Sequence, residues 1–192
     1  MVERITEVPA ASEVAKQLRE LSGERHPMFP EFRVYVFRGA ELYVQRDAAG
    51  APVSALIMGY GRRKKNIFEP YANWYVAYTV PAERRKGHAT ALYRHAETEA
   101  VARGCRRVRS LAGSAAGGYL HLSLGHLFWG RKETGELFVD SPLPGYADLY
   151  KGGKVPPLVA AAAPMSTRDV RAALKQGLRY DHCLNQGHPR VG

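Results

Sequence analysis

The chain has 192 residues, 45% hydrophobic and 24% charged, the composition of a soluble globular protein with one domain and a real core to bury. Twenty-eight Lys and Arg against 18 Asp and Glu leave a net charge of +10, which favours polyanionic partners such as nucleotides, nucleic acid or acidic protein surfaces. Cys105 and Cys183 stand far apart with no paired-cysteine motif, the N-terminus shows no signal-peptide pattern, and the longest apolar stretch is broken by prolines; a disulfide framework and a membrane span are excluded and a cytoplasmic protein is expected.

In chain order, "ERITEV" reads as a short first strand. Ser12 can cap a helix that carries Val14, Leu18 and Leu21 on one face and stops at Gly23. "HPMFPEF" reads as loop and "RVYVF" as strand. "ELYVQR" and "PVSALIMGY" flank the turn-rich "DAAG" and predict an antiparallel hairpin. "GRRKKN" connects to the strand "ANWYVAYTV". A helix over residues 87 to 103 follows, with Ala89, Leu92, Tyr93, Ala96 and Ala100 at helical spacing and Gly104 ending it. "RRVRSLA" is a strand, "SAAGGYLHLSLG" a short helix, and "HLFWG" with "ELFVD" a last hairpin.

From Ser141 the texture turns rich in Pro, Gly and Ala, so residues 1–140 are read as the domain and 141–192 as an extension. The extension includes a short helix at "STRDVRAALKQG", capped by Ser166 or Thr167 and closed by Gly177. Antiparallel strands, then a strand–helix–strand crossover, then strands again predict an α/β protein with a mixed sheet.

"AERRKGHATALY" carries the chemistry. A helix N-terminus presents unpaired N–H groups and partial positive charge, which suits an anion. Gly87 lets backbone approach that anion, and Arg84, Arg85 and Lys86 add charge. The glycine spacing fits neither a Walker loop nor a dinucleotide fingerprint. With Arg84, Gly87 and Ala89 it resembles the pyrophosphate loop of the GCN5-related N-acetyltransferases, and "TVPAE" resembles their lead-in, with Ala82 where Glu is usual. "SAAGGYLHLSLGH" resembles the family's next helix. Gly125 matches there, while Ser114, His121 and His126 stand where Asn, Tyr and Phe are usual. The resemblance covers roughly residues 40 to 140.

The resemblance implies a mostly antiparallel twisted sheet flanked by helices, and direct acyl transfer from acetyl-CoA, or another acyl-CoA, to a primary amine. The pantetheine arm would pair with main-chain groups of Ala77, Tyr78 and Thr79. The pyrophosphate would sit on the segment Arg84, Arg85, Lys86, Gly87, His88 and Ala89, with Ser114 opening the next helix nearby. A strand N–H near Tyr78 would stabilise the oxyanion. His121 would protonate the leaving thiolate, with Tyr119 as the spare donor. The base stays open among Glu69, Glu41, Tyr75 and His95.

The run Arg62, Arg63, Lys64 and Lys65, with Tyr60, Phe68, Tyr71 and Trp74 around it, is expected to draw an anionic acceptor or partner, nucleic acid included. His182, Cys183 and His188 lack a fourth ligand at a familiar spacing, so no metal is expected. The competing reading is a catalytically silent protein of the same fold that uses its basic surface to bind nucleic acid or protein.

Overall fold

The computed structural model describes residues 1–23, 29–61, 70–133, 135–151 and 163–178. The basic run at 62–65, Phe68, Glu69, and the cluster His182, Cys183 and His188 lie outside them.

Seven strands form one sheet: β1 (Val2–Ile5), β2 (Glu41–Arg46), β3 (Pro52–Gly61), β4 (Tyr71–Thr79), β5 (Arg107–Ala112), β6 (Phe128–Arg131) and β7 (Leu137–Pro142). Their order is β1-β2-β3-β4-β5-β7-β6. Only β4 and β5 are parallel neighbours; the other pairs are antiparallel. The helices are α1 (Val8–Ser22), α2 (Phe29–Phe37), α3 (His88–Ala102), α4 (Ala115–Ser123) and α5 (Thr167–Lys175). This is the mixed, mostly antiparallel sheet flanked by helices that the sequence leads one to expect.

Strand β3 shows why both faces must be covered. Val53 to Met58 are all buried, with Val53, Ala55 and Ile57 packed among α1 and α2 residues, and Leu56 and Met58 among α3 residues. A run without alternation needs helices on both sides. The β2–β3 hairpin turns as predicted, on Asp47, whose Oδ1 accepts from the amides of Ala49 and Ala51 at 2.9 Å each.

Two expectations fail: Ser12, expected to cap the first helix, lies inside α1, whose N-cap is Glu7, and its Oγ donates to the Val8 carbonyl at 2.9 Å. "HPMFPEF" and "RVYVF" read as loop and strand, yet Phe29–Phe37 is helical. Aromatic and β-branched residues favour strand locally, but Phe29, Phe32 and Val36 recur at helical spacing and all three are buried. Burying that stripe outweighs a propensity difference of a few tenths of a kcal/mol per residue. Pro30 sits in the first turn, where its missing N–H costs nothing.

The chain beyond residue 140 continues the same body among the described residues. Strand β7 runs to Pro142, and α5 contributes Val170 and Leu174 to an apolar cluster with Ala112, Phe128, Leu137 and Val139. Ser166 caps α5, its Oγ accepting from the Asp169 amide at 3.2 Å. Among the described residues no helix is long and apolar enough to cross a membrane.

Candidate active site

The site begins where β4 and β5 part. Their parallel pairing runs from Tyr71 opposite Arg107 to Trp74 opposite Ser110 and goes no further. At that last rung Ser110 Oγ donates to the Trp74 carbonyl at 3.1 Å. The next residue, Tyr75, has no partner on β3, because Ile57 pairs with Val76 and Met58 with Trp74. One extra residue is a β-bulge, which bends and twists its strand. Beyond it Val76 to Thr79 stay paired to β3 alone, and the edge facing β5 opens into a wedge.

Which main-chain groups line that edge follows from the ladder. The Val80 amide donates to the Val53 carbonyl at 3.0 Å, and the Tyr78 carbonyl accepts from Ser54 Oγ at 3.1 Å, so residues 78 and 80 turn toward β3. Alternation then directs the N–H and C=O of Ala77 and Thr79 into the wedge. Tyr78, which the sequence reading put forward for pairing and for the oxyanion, faces away. Its main chain belongs to β3, and its ring is buried edge-on against Phe29 at 4.9 Å.

Both lips of the wedge end in helix N-termini, since β4 leads to α3 and β5 to α4. Ligand crevices in sheets with parallel strands form at such carboxyl ends. On the α3 side the chain turns through a short 3-10 helix (Pro81–Glu83), then Arg85 at φ 66° and Gly87 at φ 85°. Gly87 is the N-cap of α3 and makes no side-chain capping bond. The first N–H groups of α3 therefore lack a capping side chain, and a Cβ on Gly87 would meet nothing within 4 Å, so the space before them is open.

Three basic residues of this loop are tied in place, Arg84, Lys86 and His88. Arg84 Nε donates to the Thr79 carbonyl at 3.1 Å. Lys86 Nζ and His88 Nε2 meet the two oxygens of Glu83 at 2.8 and 2.9 Å, and these hydrogen bonds hold the Glu83 carboxyl below its usual range. The sequence reading did not single out Glu83, which organises the basic side chains of this loop; it lies one position after Ala82, where the family lead-in was expected to carry its acid. On the α4 side Ser114 is used as an N-cap, its Oγ accepting from the Gly117 amide at 3.2 Å.

The two proposed proton donors separate. Tyr119 is 44% exposed on α4, whereas His121 is 2% exposed. His121 stacks on Trp74 at 5.6 Å, and its Nδ1 meets Nδ1 of His126 at 2.9 Å. His126 Nε2 in turn meets Glu97 Oε1 at 3.0 Å, and Arg94 donates to the other Glu97 oxygen at 3.2 Å. With the Nε2 proton on the Glu97 side, a neutral His126 accepts at Nδ1 and His121 donates there. Burial, and His126 beside it, push the His121 imidazole well below its ordinary 6.5. The imidazolium acid expected at His121 would therefore have to form on a buried ring whose Nδ1 already meets His126.

Of the open base candidates, Glu41 is tied up by Arg103 at 2.7 Å and by the Tyr43 hydroxyl at 2.8 Å. His95 is an exposed residue of α3 against Tyr43, and Tyr75 is 41% exposed at the bulge. On the opposite sheet face from α3, buried Asp140 joins β5 to β7. It accepts from Arg107 at 3.3 Å, from Arg109 at 3.2 Å, and from the Tyr150 hydroxyl. Among the described residues no group of three or more His, Cys, Asp or Glu could hold a metal ion.

A strand pair splayed beside an anion-ready helix start defines the class. The chain belongs to the Acetyltransferase (GNAT) family, whose profile matches residues 12–118. No curated protein matches it in sequence. Among solved structures it is similar to one described as histone acetyltransferase HPA2 and related acetyltransferase from Corynebacterium glutamicum. There the TM-score is 0.55 and the identity 18%, over 74% of this chain and 96% of that one. A GNAT acetyltransferase from Desulfovibrio desulfuricans gives 0.58 and 12%, over 74% and 97%. A chain of the NatC complex bound to Gag peptide and CoA gives 0.51 and 12%, over 74% and 98%. At such identities these likenesses show the fold alone.

Proposed function

We propose that the chain transfers an acyl group directly from an acyl-CoA, acetyl-CoA being the expected donor, to a primary amine. The observation that carries this reading is the wedge between β4 and β5, which opens beside an α3 N-terminus that no side chain caps. The residues present fit a pyrophosphate-bearing thioester. Gly87 leaves room for close backbone approach, and the exposed Arg85 and Lys86 flank it. The thioester supplies an activated acyl carbon; the chain's own groups do the rest.

Ala77 and Thr79 offer strand-edge hydrogen bonds to an extended amide-bearing arm, and the amides from Arg85 to Ala89 receive the phosphates. The Ala77 N–H, closest of the two to the bulge, stabilises the oxyanion in place of Tyr78. Tyr119 gives its phenolic proton to the departing thiolate. The net charge of +10 supports attraction of the phosphates and of an anionic acceptor body, and both attractions should weaken as salt rises.

The test uses acetyl-CoA with phenethylamine and follows release of the CoA thiol. Tyr119→Phe should lower turnover by roughly a hundredfold, the usual scale for an acid–base group, with acetyl-CoA affinity unchanged. Wild-type turnover in Tyr119→Phe would remove the tyrosine from the mechanism.

A further inference from the structure

Trp74, Ser110, Val139 and Phe128 are successive partners across β4, β5, β7 and β6, and Trp74 opposite Ser110 is the rung at which β4 and β5 stop pairing. His121 packs on the rings at both ends of this row, on Trp74 at 5.6 Å and 16°, and edge-on to Phe128 at 6.4 Å. The imidazole therefore lies over the last rung, at the apex of the wedge and on the sheet face that carries α3. Tyr93 of α3 closes on it edge-on at 5.8 Å.

Behind His121 runs one continuous chain of polar contacts. Its Nδ1 meets His126 Nδ1, His126 Nε2 meets one oxygen of Glu97, and Arg94 donates to the other from the surface of α3. His121, His126 and Glu97 are all buried. Apolar side chains would fill such a core at a lower desolvation cost, so stability alone does not account for two imidazoles and a carboxylate there. With protons on His126 Nε2 and His121 Nδ1, the chain leaves His121 Nε2 with a lone pair to offer. An imidazole buried here by itself would be a poor proton acceptor, since burial opposes its charged form. The chain removes that difficulty. A proton arriving at Nε2 lets the Nδ1 proton move on to His126, and the positive charge comes to rest against Glu97.

We infer that His121 is the base of the transfer, and that His126 and Glu97 are the positioning residues that let it act by carrying its positive charge. This rests on the acyl-transfer reading above. The acceptor enters as the free amine, and its lone pair forms the C–N bond at the thioester carbon. The attacking nitrogen, now positively charged, loses a proton to His121 Nε2 while the Nδ1 proton crosses to His126 Nδ1. The C–S bond breaks with its electron pair on sulfur, and the Tyr119 proton goes to the thiolate. After release the chain runs backward: His121 Nε2 gives its proton to water, and Tyr119 recovers one from water.

Two measurements test this. In ligand-free protein carrying 15N-labelled histidine, nuclear magnetic resonance at about pH 8 should find His121 protonated at Nδ1 and bare at Nε2. On acidification the first proton should appear on His126. Glu97→Gln keeps the size and the hydrogen bond to His126 but removes the charge that holds an imidazolium. It should lower turnover of phenethylamine with acetyl-CoA by roughly tenfold or more, with acetyl-CoA affinity unchanged. The acid limb of kcat/KM, plotted against free amine, should also move to lower pH, a shift that a merely structural role would not produce. An Nε2–H tautomer at His121, or wild-type turnover and an unmoved acid limb in Glu97→Gln, overturns the inference. Failure of wild type to bind acetyl-CoA at all instead overturns the acyl-transfer reading beneath it, and the tautomer measurement does not depend on that outcome.

Discussion

His121 and His126 meet through one proton between two Nδ1 atoms, in a core that contains Trp74, Tyr93 and Glu97. Such a chain is stable only while the inner ring is neutral. In the unfolded chain His121 takes up a proton below about 6.5, whereas in the fold its pKa lies well below that value. The unfolded state then binds more protons, so this residue's contribution is intact above pH 6.5 and is lost as pH falls beneath it. The slope is about 1.4 kcal/mol per pH unit for one proton. Urea unfolding from pH 7.5 to 5 should show this decline in wild type and a shallower one in His121→Phe; parallel curves would show that His121 titrates normally. None of this is visible in "GYLHLSLGH", where two histidines five apart look like replacements for Tyr and Phe. Their partner Glu97 comes from α3, and only the fold brings it within 3.0 Å.

Local pattern sufficed for the elements whose periodicity and punctuation agree. Helix α3 has apolar residues at helical spacing between Gly87 and Gly104, and both glycines adopt positive φ. Helix α2 was misread because its strand-favouring residues hid a helical stripe. The Tyr75 bulge is equally silent in "ANWYVAYTV", since an extra residue is defined by the partner strand. Helix α5 was legible as a helix, but its seat was not. Leu174 is 2% exposed and occupies the space beside Gly118 of α4, where an added Cβ would collide with it. Leu174→Ala should cost about 2–5 kcal/mol in denaturant unfolding, the scale for a buried leucine whose site cannot collapse. A loss under about 0.5 kcal/mol would mean that α5 is not docked on α4.

For the whole molecule, the fold class followed from the order of elements, because a single strand–helix–strand crossover among hairpins leaves few topologies. The site followed less completely. A positively charged turn at a helix start was readable, while the wedge beside it depends on where β4 and β5 stop pairing. Acetyl-CoA binding at that place is the central claim, and calorimetric titration of wild type against Gly87→Val tests it most directly. Valine would be forced into φ 85°, a conformation β-branched residues avoid, and its side chain would fill the open space before the α3 amides. The account predicts saturable one-to-one binding in wild type and at least a hundredfold loss in Gly87→Val, with both proteins folded by circular dichroism. Equal affinity in the two proteins would place the phosphates elsewhere and contradict it.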